Sequence, residues 1–237
     1  MKLKYLFLYG LLLILASCSL DYKPVGSYSE LTEGIDSAGA AVFLKDKAAV
    51  LSQRQDLYDR VRAGQEYWYL DVLLLAESHS DNAYAGSPGA ETTPFEVNSI
   101  EGSNPNLKRD WSGYMDNVSS ANILITYIDS VKDATLTTAE RAQYKAEGKI
   151  FRALVYFDMA RIWGNVPLIT SAVATNITSA NIAELYPTLF PSQSDEKTVY
   201  QQIEKDLLDA LVAAPDNNPS DKTVFSKSVA RALLAIC

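Results

Sequence analysis

Hydrophobic positions recur every three or four residues through most of the chain, a spacing that predicts amphipathic helices. Residues 80–107 are polar and rich in Gly, Pro, Ser, Thr and Asn, which predicts a long loop. A second extended loop is predicted at 168–193, with Pro187 and Pro191 near its end. No segment alternates polar and apolar residues for long, so a mainly all-α fold with at most short strand pairings in the loops is predicted. The predicted helices cover residues 34–62, 65–78, 108–131, 137–163, 195–213 and 226–237.

The fourth predicted helix has a specific signal at each end. Thr137 and Glu140 stand three residues apart, as the two partners of a capping box do. Gly164 can take the left-handed αL position just past the last turn, and Pro167 cannot continue a helix. These signals predict a helix that begins after Thr137 and ends at Trp163.

Small, large and small residues recur at offsets of four and three in two of the predicted helices. This spacing is typical of the second helix of a tetratricopeptide repeat, although the two copies lie further apart than consecutive repeats do. It is equally compatible with two ordinary amphipathic core helices. The two sets are Ala153, Phe157 and Ala160, and Ala230, Leu234 and Cys237.

The N-terminal segment has the features of an export signal. Lys2 and Lys4 precede an apolar run that is too short for a stable membrane span. The run ends at Leu15-Ala16-Ser17-Cys18, which resembles the bacterial lipobox, in which the cysteine receives a diacylglyceryl group and becomes the mature N-terminus.

We therefore predict a signal peptide at 1–17, lipidation of Cys18 and a polar tether at 18–30. A cleaved secretory signal followed by a chance cysteine is the alternative. Once Cys18 is lipidated, Cys237 has no partner, so no intramolecular disulfide is expected.

Composition excludes several classes of function. The formal net charge is −8, from 21 basic and 29 acidic residues, so the chain lacks the basic footprint of a nucleic-acid binder. One histidine and two cysteines cannot build a His-rich or Cys-rich metal site. No metal and no cofactor is predicted.

Candidates for catalysis are few. His79 lies between two serines and precedes Asp81 by two residues, but neighbours in sequence do not form a catalytic triad. The acidic residues between 66 and 81 show no spacing that indicates the facing carboxylate pair of a glycosidase. The sequence therefore favours a protein that is not an enzyme.

Residues 144–169, YKAEGKIFRALVYFDMARIWGNVPLI, resemble the signature helix and turn of SusD/RagB-like outer-membrane lipoproteins. The resemblance rests on Ala-Glu, Phe-Arg-Ala, a Tyr-Phe pair, Arg and Gly-Asn-Val-Pro-Leu in that order. It implies a SusD-like helical domain at 31–237, built on tetratricopeptide-like helix pairs with long inserted loops. Further matches in the family's order fall at 80–84, 111–124, 200–215 and 226–235.

The resemblance also implies a function. Such proteins are surface lipoproteins of the outer membrane that bind glycans and deliver them to a SusC-like TonB-dependent barrel transporter. A helical-repeat protein-interaction or peptide-uptake lipoprotein without sugar affinity is the alternative. Family members are usually about twice as long, so the domain is expected to be incomplete at its C-terminal end.

Candidate ligand residues lie mainly in the first long loop. Tyr84 offers a flat ring for stacking on a sugar, and Asn82 and Asn98 offer amides. Trp68, in the dense aromatic run 67–69, is a further candidate, for which core packing is the competing explanation.

The signature helix also contains residues for which a structural role is favoured. Arg152, Arg161 and Asp158 are expected to serve packing or loop anchoring rather than ligand contact. Gly148 stands where the family has a larger helix former and costs about 1 kcal/mol relative to alanine. It predicts a close approach between two helices.

Overall fold

The computed structural model describes residues 44–64, 68, 77–80, 82–84, 92–172, 179, 181–217, 220 and 222–237. The predicted signal peptide, Cys18 and the tether lie outside these residues. The described part of the chain is mainly helical, as predicted. Its elements are α1 (Lys47–Ala63), α2 (Thr93–Glu96), α3 (Pro105–Tyr127), a 3₁₀ turn (Ile128–Ser130), α4 (Thr138–Trp163), β1 (Val166–Pro167), α5 (Ile182–Leu189), β2 (Gln193–Ser194), α6 (Glu196–Ala210) and α7 (Lys227–Leu234).

Helix α4 has the ends that the sequence predicts. The hydroxyl of Thr137 accepts from the backbone N–H of Glu140 at 3.2 Å, and the Glu140 carboxylate accepts from the backbone N–H of Thr137 at 2.9 Å. Gly164 follows the last turn at φ +70° and ψ −109°. The positive φ is confirmed, although this ψ lies outside the left-handed helical region. Strand β1 follows two residues later.

The core of the protein is built around α4. Helices α1, α3, α6 and α7 all contact it, and α7 also packs on α6. Ile150, Phe151, Tyr156 and Met159 of α4 are fully buried. Each large apolar side chain removed from water contributes about 1.5–3 kcal/mol, so this helix supplies much of the stabilising burial.

Helix α3 approaches α4 closely at Gly148. A Cβ atom on Gly148 would lie 3.1 Å from Cγ1 of Ile125 and 3.5 Å from Cδ2 of Leu124. The close approach expected from the sequence is confirmed. The nearby small–large–small set also packs as expected, since Ala153, Phe157 and Ala160 are all buried.

A fully buried carboxylate ties α1 to α4. Glu147 accepts hydrogen bonds from Nε of Arg54 at 2.6 Å, from the hydroxyl of Tyr58 at 2.7 Å and from the amide of Gln143 at 2.9 Å. Burial, together with the negative charge of Glu147, raises the pKa of Tyr58. A buried charge needs such partners, and here they come from both helices.

Several predicted bounds need correction. The predicted helix 34–62 does not run through residues 44–46, because Asp46 caps α1 by accepting from the backbone N–H of Ala49 at 2.8 Å. Asn104 caps α3 in the same way, so that α3 begins at Pro105 and not at 108. Most of the predicted helix 65–78 lies outside the described residues, although 77–79 are helical.

The region 168–193 is not a loop throughout. It contains α5, and strand β2 closes it by pairing antiparallel with β1, Val166 opposite Ser194 and Pro167 opposite Gln193. The chain therefore leaves and rejoins the helical core at adjacent points.

Candidate functional site

The loop that contains Tyr84 lies at the surface. Tyr84 is 76% exposed, and Asn82 beside it is exposed as well. The segment is held by the carbonyl oxygen of Glu77, which accepts from the backbone N–H of Ala83 at 3.1 Å and from the hydroxyl of Ser80 at 3.0 Å. The ring of Tyr84 is thus accessible to a ligand.

Asn98 lies just beyond α2, exposed and at a φ of +55°. The buried ring of Phe95 in α2 meets the imidazole of His79 edge-on, with 6.5 Å between centroids. This contact joins the segment of Asn82 and Tyr84 to the α2 turn that carries Asn98. His79 is itself exposed at the end of a helical turn.

Trp68 lies apart from these loop candidates, against the core. Its ring is tilted against Tyr114 at 5.2 Å and against Phe151 at 6.4 Å, between centroids. The aromatic contacts continue from Tyr114 to Trp163 and from Trp163 to Trp111. This is the core-packing environment that was the competing explanation for Trp68.

Arg152 is buried and binds partners from three parts of the fold. Its guanidinium makes a bidentate pair with the carboxylate of Asp206 on α6, in which Nε donates at 2.8 Å and Nη2 at 2.7 Å. Nη1 donates to the side-chain oxygen of Asn122 on α3 and to the carbonyl oxygen of Thr170, both at 2.6 Å. The loop-anchoring role predicted for Arg152 is confirmed.

Other side chains fix the same segment after β1. The Tyr156 hydroxyl accepts from the backbone N–H of Ile169 at 2.7 Å, and burial raises the pKa of Tyr156 to about 12. The amide of Asn122 donates to the carbonyl oxygen of Ile169 at 2.9 Å, and the Tyr127 hydroxyl donates to that of Ala172 at 3.1 Å. Residues 169–172 are therefore tied to α3 and α4.

Asp158 and Arg161 make a looser pair. Their closest charged atoms are 3.7 Å apart, and the Asp158 side chain is only 13% exposed. Burial raises the pKa of Asp158 to about 6, and the positive charge of Arg161 offsets only part of this effect.

One exposed aromatic pair is absent from the sequence-based candidates. Tyr186 and Phe190, at the end of α5, are 56% and 62% exposed, with ring centroids 5.0 Å apart. Their i, i+4 spacing could have indicated a helical face, but Pro187 between them led to the prediction of a loop.

The described residues contain no group of three or more His, Cys, Asp and Glu side chains that could hold a metal ion. Among the helices of these same residues, none combines the length and apolar character that a membrane crossing requires.

A helical core with anchored segments and aromatic rings displayed at its surface defines a helical scaffold. A family model of SusD-like proteins, described as starch-binding associating with outer membrane, matches residues 44–236, which include every element given above. The chain therefore belongs to the SusD-like family.

Individual relatives agree with this assignment. A SusD-like protein of Bacteroides ovatus is 28% identical over 172 residues, which are 71% of this chain and 29% of that protein. The structure of a laminarin-binding SusD-like protein is 27% identical, with a TM-score of 0.65 over 81% of this chain and 40% of the other. A SusD-like structure from Bacteroides fragilis is 25% identical, with a TM-score of 0.62 over 81% and 34%. The chain thus spans less than half the length of each.

Proposed function

We propose that this protein is a lipid-anchored surface receptor of the outer membrane that binds glycans and delivers them to a SusC-like TonB-dependent transporter. The observation that carries the proposal is the 27% identity to a laminarin-binding SusD-like protein across 81% of the chain. The family description, which names starch and the outer membrane, supports the same ligand class and location.

A flat aromatic ring can pack on the C–H face of a sugar while polar groups at its edge bind the hydroxyls, and binding alone needs no nucleophile. The exposed ring of Tyr84 and the amides of Asn82 and Asn98 offer these groups on two neighbouring segments. We therefore assign glycan contact to this surface and no catalytic step to the protein.

Affinity electrophoresis tests the binding. The purified protein should migrate more slowly in gels that contain laminarin or soluble starch, and Tyr84→Ala should reduce the retardation. Leu208→Ala, which truncates a 51% exposed side chain on α6, is the matched control and should migrate as the parent does. Incubation of either polysaccharide with the protein should produce no new reducing ends, because no hydrolysis is expected. Retardation by neither polysaccharide, with binding to peptides instead, would favour the peptide-uptake alternative.

Fractionation of cells tests the anchor. Cys18→Ala should release the protein from the outer membrane, because the thioether to lipid can no longer form. Cys237→Ala removes the chain's other cysteine and should leave the protein membrane-bound. Retention of the Cys18→Ala protein would contradict lipid anchoring.

Co-purification tests the partner. The membrane-bound protein, extracted in mild detergent, should recover a TonB-dependent barrel, and the recovery should be absent in a strain that lacks the barrel gene. Failure of this experiment alone would leave a glycan-binding lipoprotein without the proposed transporter.

A further inference from the structure

Tyr186 of α5 and Phe190, the residue that caps its C-terminal end, present two aromatic rings to solvent. Tyr186 and Phe190 are each more than half exposed, and their ring planes meet at 35° with centroids 5.0 Å apart. Single exposed apolar residues are common on proteins, but two large adjacent rings form a continuous apolar surface that indicates a binding site.

The register of α5 places the aromatic residues outward. Ile182, Leu185 and Leu189 are half-buried and follow one another at helical spacing. Tyr186 and Phe190 stand four residues apart and are exposed. The half-buried aliphatic side chains and the exposed rings therefore lie on different faces.

The base from which α5 projects is fixed. Before α5, Ile169 and Ala172 are hydrogen-bonded to side chains of α3 and α4, and after it β2 pairs with β1. Pro187 and Pro191 further restrict the backbone around the two rings. Binding residues displayed on loops of a rigid scaffold lose little freedom when a ligand arrives.

The charge of this region selects among ligands. No lysine or arginine occurs between Arg161 and Lys197, and the acidic residues of that stretch are Glu184, Asp195 and Glu196. This stretch offers an anionic polysaccharide or an anionic lipid surface no cation, and its three carboxylates disfavour both. An uncharged ligand with apolar faces fits best.

We propose that Tyr186 and Phe190 form a stacking platform for the pyranose rings of a neutral glycan. The platform adds a second contact to the Tyr84 surface and rests on the proposed glycan-binding function. With centroids 5.0 Å apart and a tilt of 35°, the two rings pack on each other and form one apolar surface, and each residue remains more than half exposed to a sugar. The face of a pyranose ring is lined by C–H groups, which pack on flat aromatic surfaces.

A set of variants separates ring stacking from plain hydrophobic docking. Tyr186→Leu with Phe190→Leu keeps much of the apolar area but removes both flat faces, so a protein or lipid interface would tolerate it and a sugar platform would not. Tyr186→Phe with Phe190→Tyr keeps both rings. Leu208→Ala with Val212→Ala changes exposed aliphatic side chains elsewhere and serves as the control.

Affinity for laminarin and for soluble starch is measured by affinity electrophoresis and calorimetry, and circular dichroism confirms that each variant is folded. The leucine pair should weaken binding at least about tenfold, while the ring-conserving pair and the control stay within about twofold of the parent. If the leucine pair binds as the parent does, while Tyr84→Ala weakens binding, the platform is refuted and the proposed function stands. If the parent binds neither polysaccharide, both are refuted.

Discussion

Arg152 shows how one buried charge organises several parts of this protein. Its partners are Asp206 on α6, Asn122 on α3 and the carbonyl oxygen of Thr170. The sequence places Arg152 in the signature helix, and a loop-anchoring role could be predicted from it. Asp206 could not be identified as its partner, because 54 positions separate the two and only the packing of α6 on α4 joins them.

Replacing Asp206 by asparagine should lower the free energy of unfolding by about 3 kcal/mol. The change leaves the buried guanidinium of Arg152 without a counter-charge, and breaking one side of a buried ion pair is strongly destabilising. Urea denaturation followed by circular dichroism measures the effect. Lys205→Gln, which breaks an exposed pair with Asp209 at 3.2 Å, should change stability by less than about 0.5 kcal/mol. Equal effects of the two variants would contradict this account.

Asp158 should make stability depend on pH. Burial raises the pKa of Asp158 from 3.8 to about 6 in the folded protein, so the folded state holds this proton more tightly than the unfolded state does. The stability that the proton provides is complete below about pH 4 and is lost as the pH rises through 6.

Asp158→Asn should therefore be more stable than the parent by about 2 kcal/mol at pH 7 and no more stable at pH 4. Urea denaturation at pH values from 4 to 7.5 measures the difference. A gain of the same size at both ends of this range would show that burial of the charge is not its cause.

At the scale of elements, the approach of α3 to α4 depends on Gly148. Gly148→Val should destabilise the protein by about 2 kcal/mol, because the added atoms would overlap the side chains of Ile125 and Leu124. Thermal or urea denaturation measures the loss. Gly102→Val is the control, since nothing lies within 4 Å of a Cβ atom there. A Gly148→Val protein as stable as the parent would mean that α3 can move away at no cost.

Elements with local signals could be predicted well from the sequence. Helix α4 was recognised because its capping box and its terminal glycine act within a few residues of its own ends. Helix α5 is not predicted because it is short and contains Pro187. The segment that contains α5 is bounded by the β1–β2 pair and by the hydrogen bonds of Ile169 and Ala172. These contacts join residues distant in sequence.

The same limit applies to the candidate site. The exposed position of Tyr84 followed from its loop composition, whereas the exposure of Tyr186 and Phe190 follows from the helical register of α5. Trp68 lies against Tyr114 and Phe151, and the sequence alone could not decide between core packing and ligand contact for it.

At the scale of the whole molecule, the described helices differ in how much they bury, and α4 contributes the most buried residues. Half of its 26 residues are buried, whereas α7 buries only Ala230 and Leu233 of its eight. Hydrogen exchange followed by mass spectrometry should therefore show the slowest amides at 144–160 and faster exchange at 227–234, because local opening of α7 exposes less apolar surface. Equal protection of the two segments would mean that α7 opens only when the whole fold does.

The paired strands β1 and β2 have a consequence for how this protein can change. They bring the two ends of the intervening stretch together, and the entropy needed to close a loop grows only slowly with its length. Insertions, deletions and exchanges between Ala172 and Gln193 should thus cost the helical core little. A relative's segment grafted at these points would bring its own ligand preference with it. This part of the chain can therefore diverge in sequence and length while the helical core stays the same.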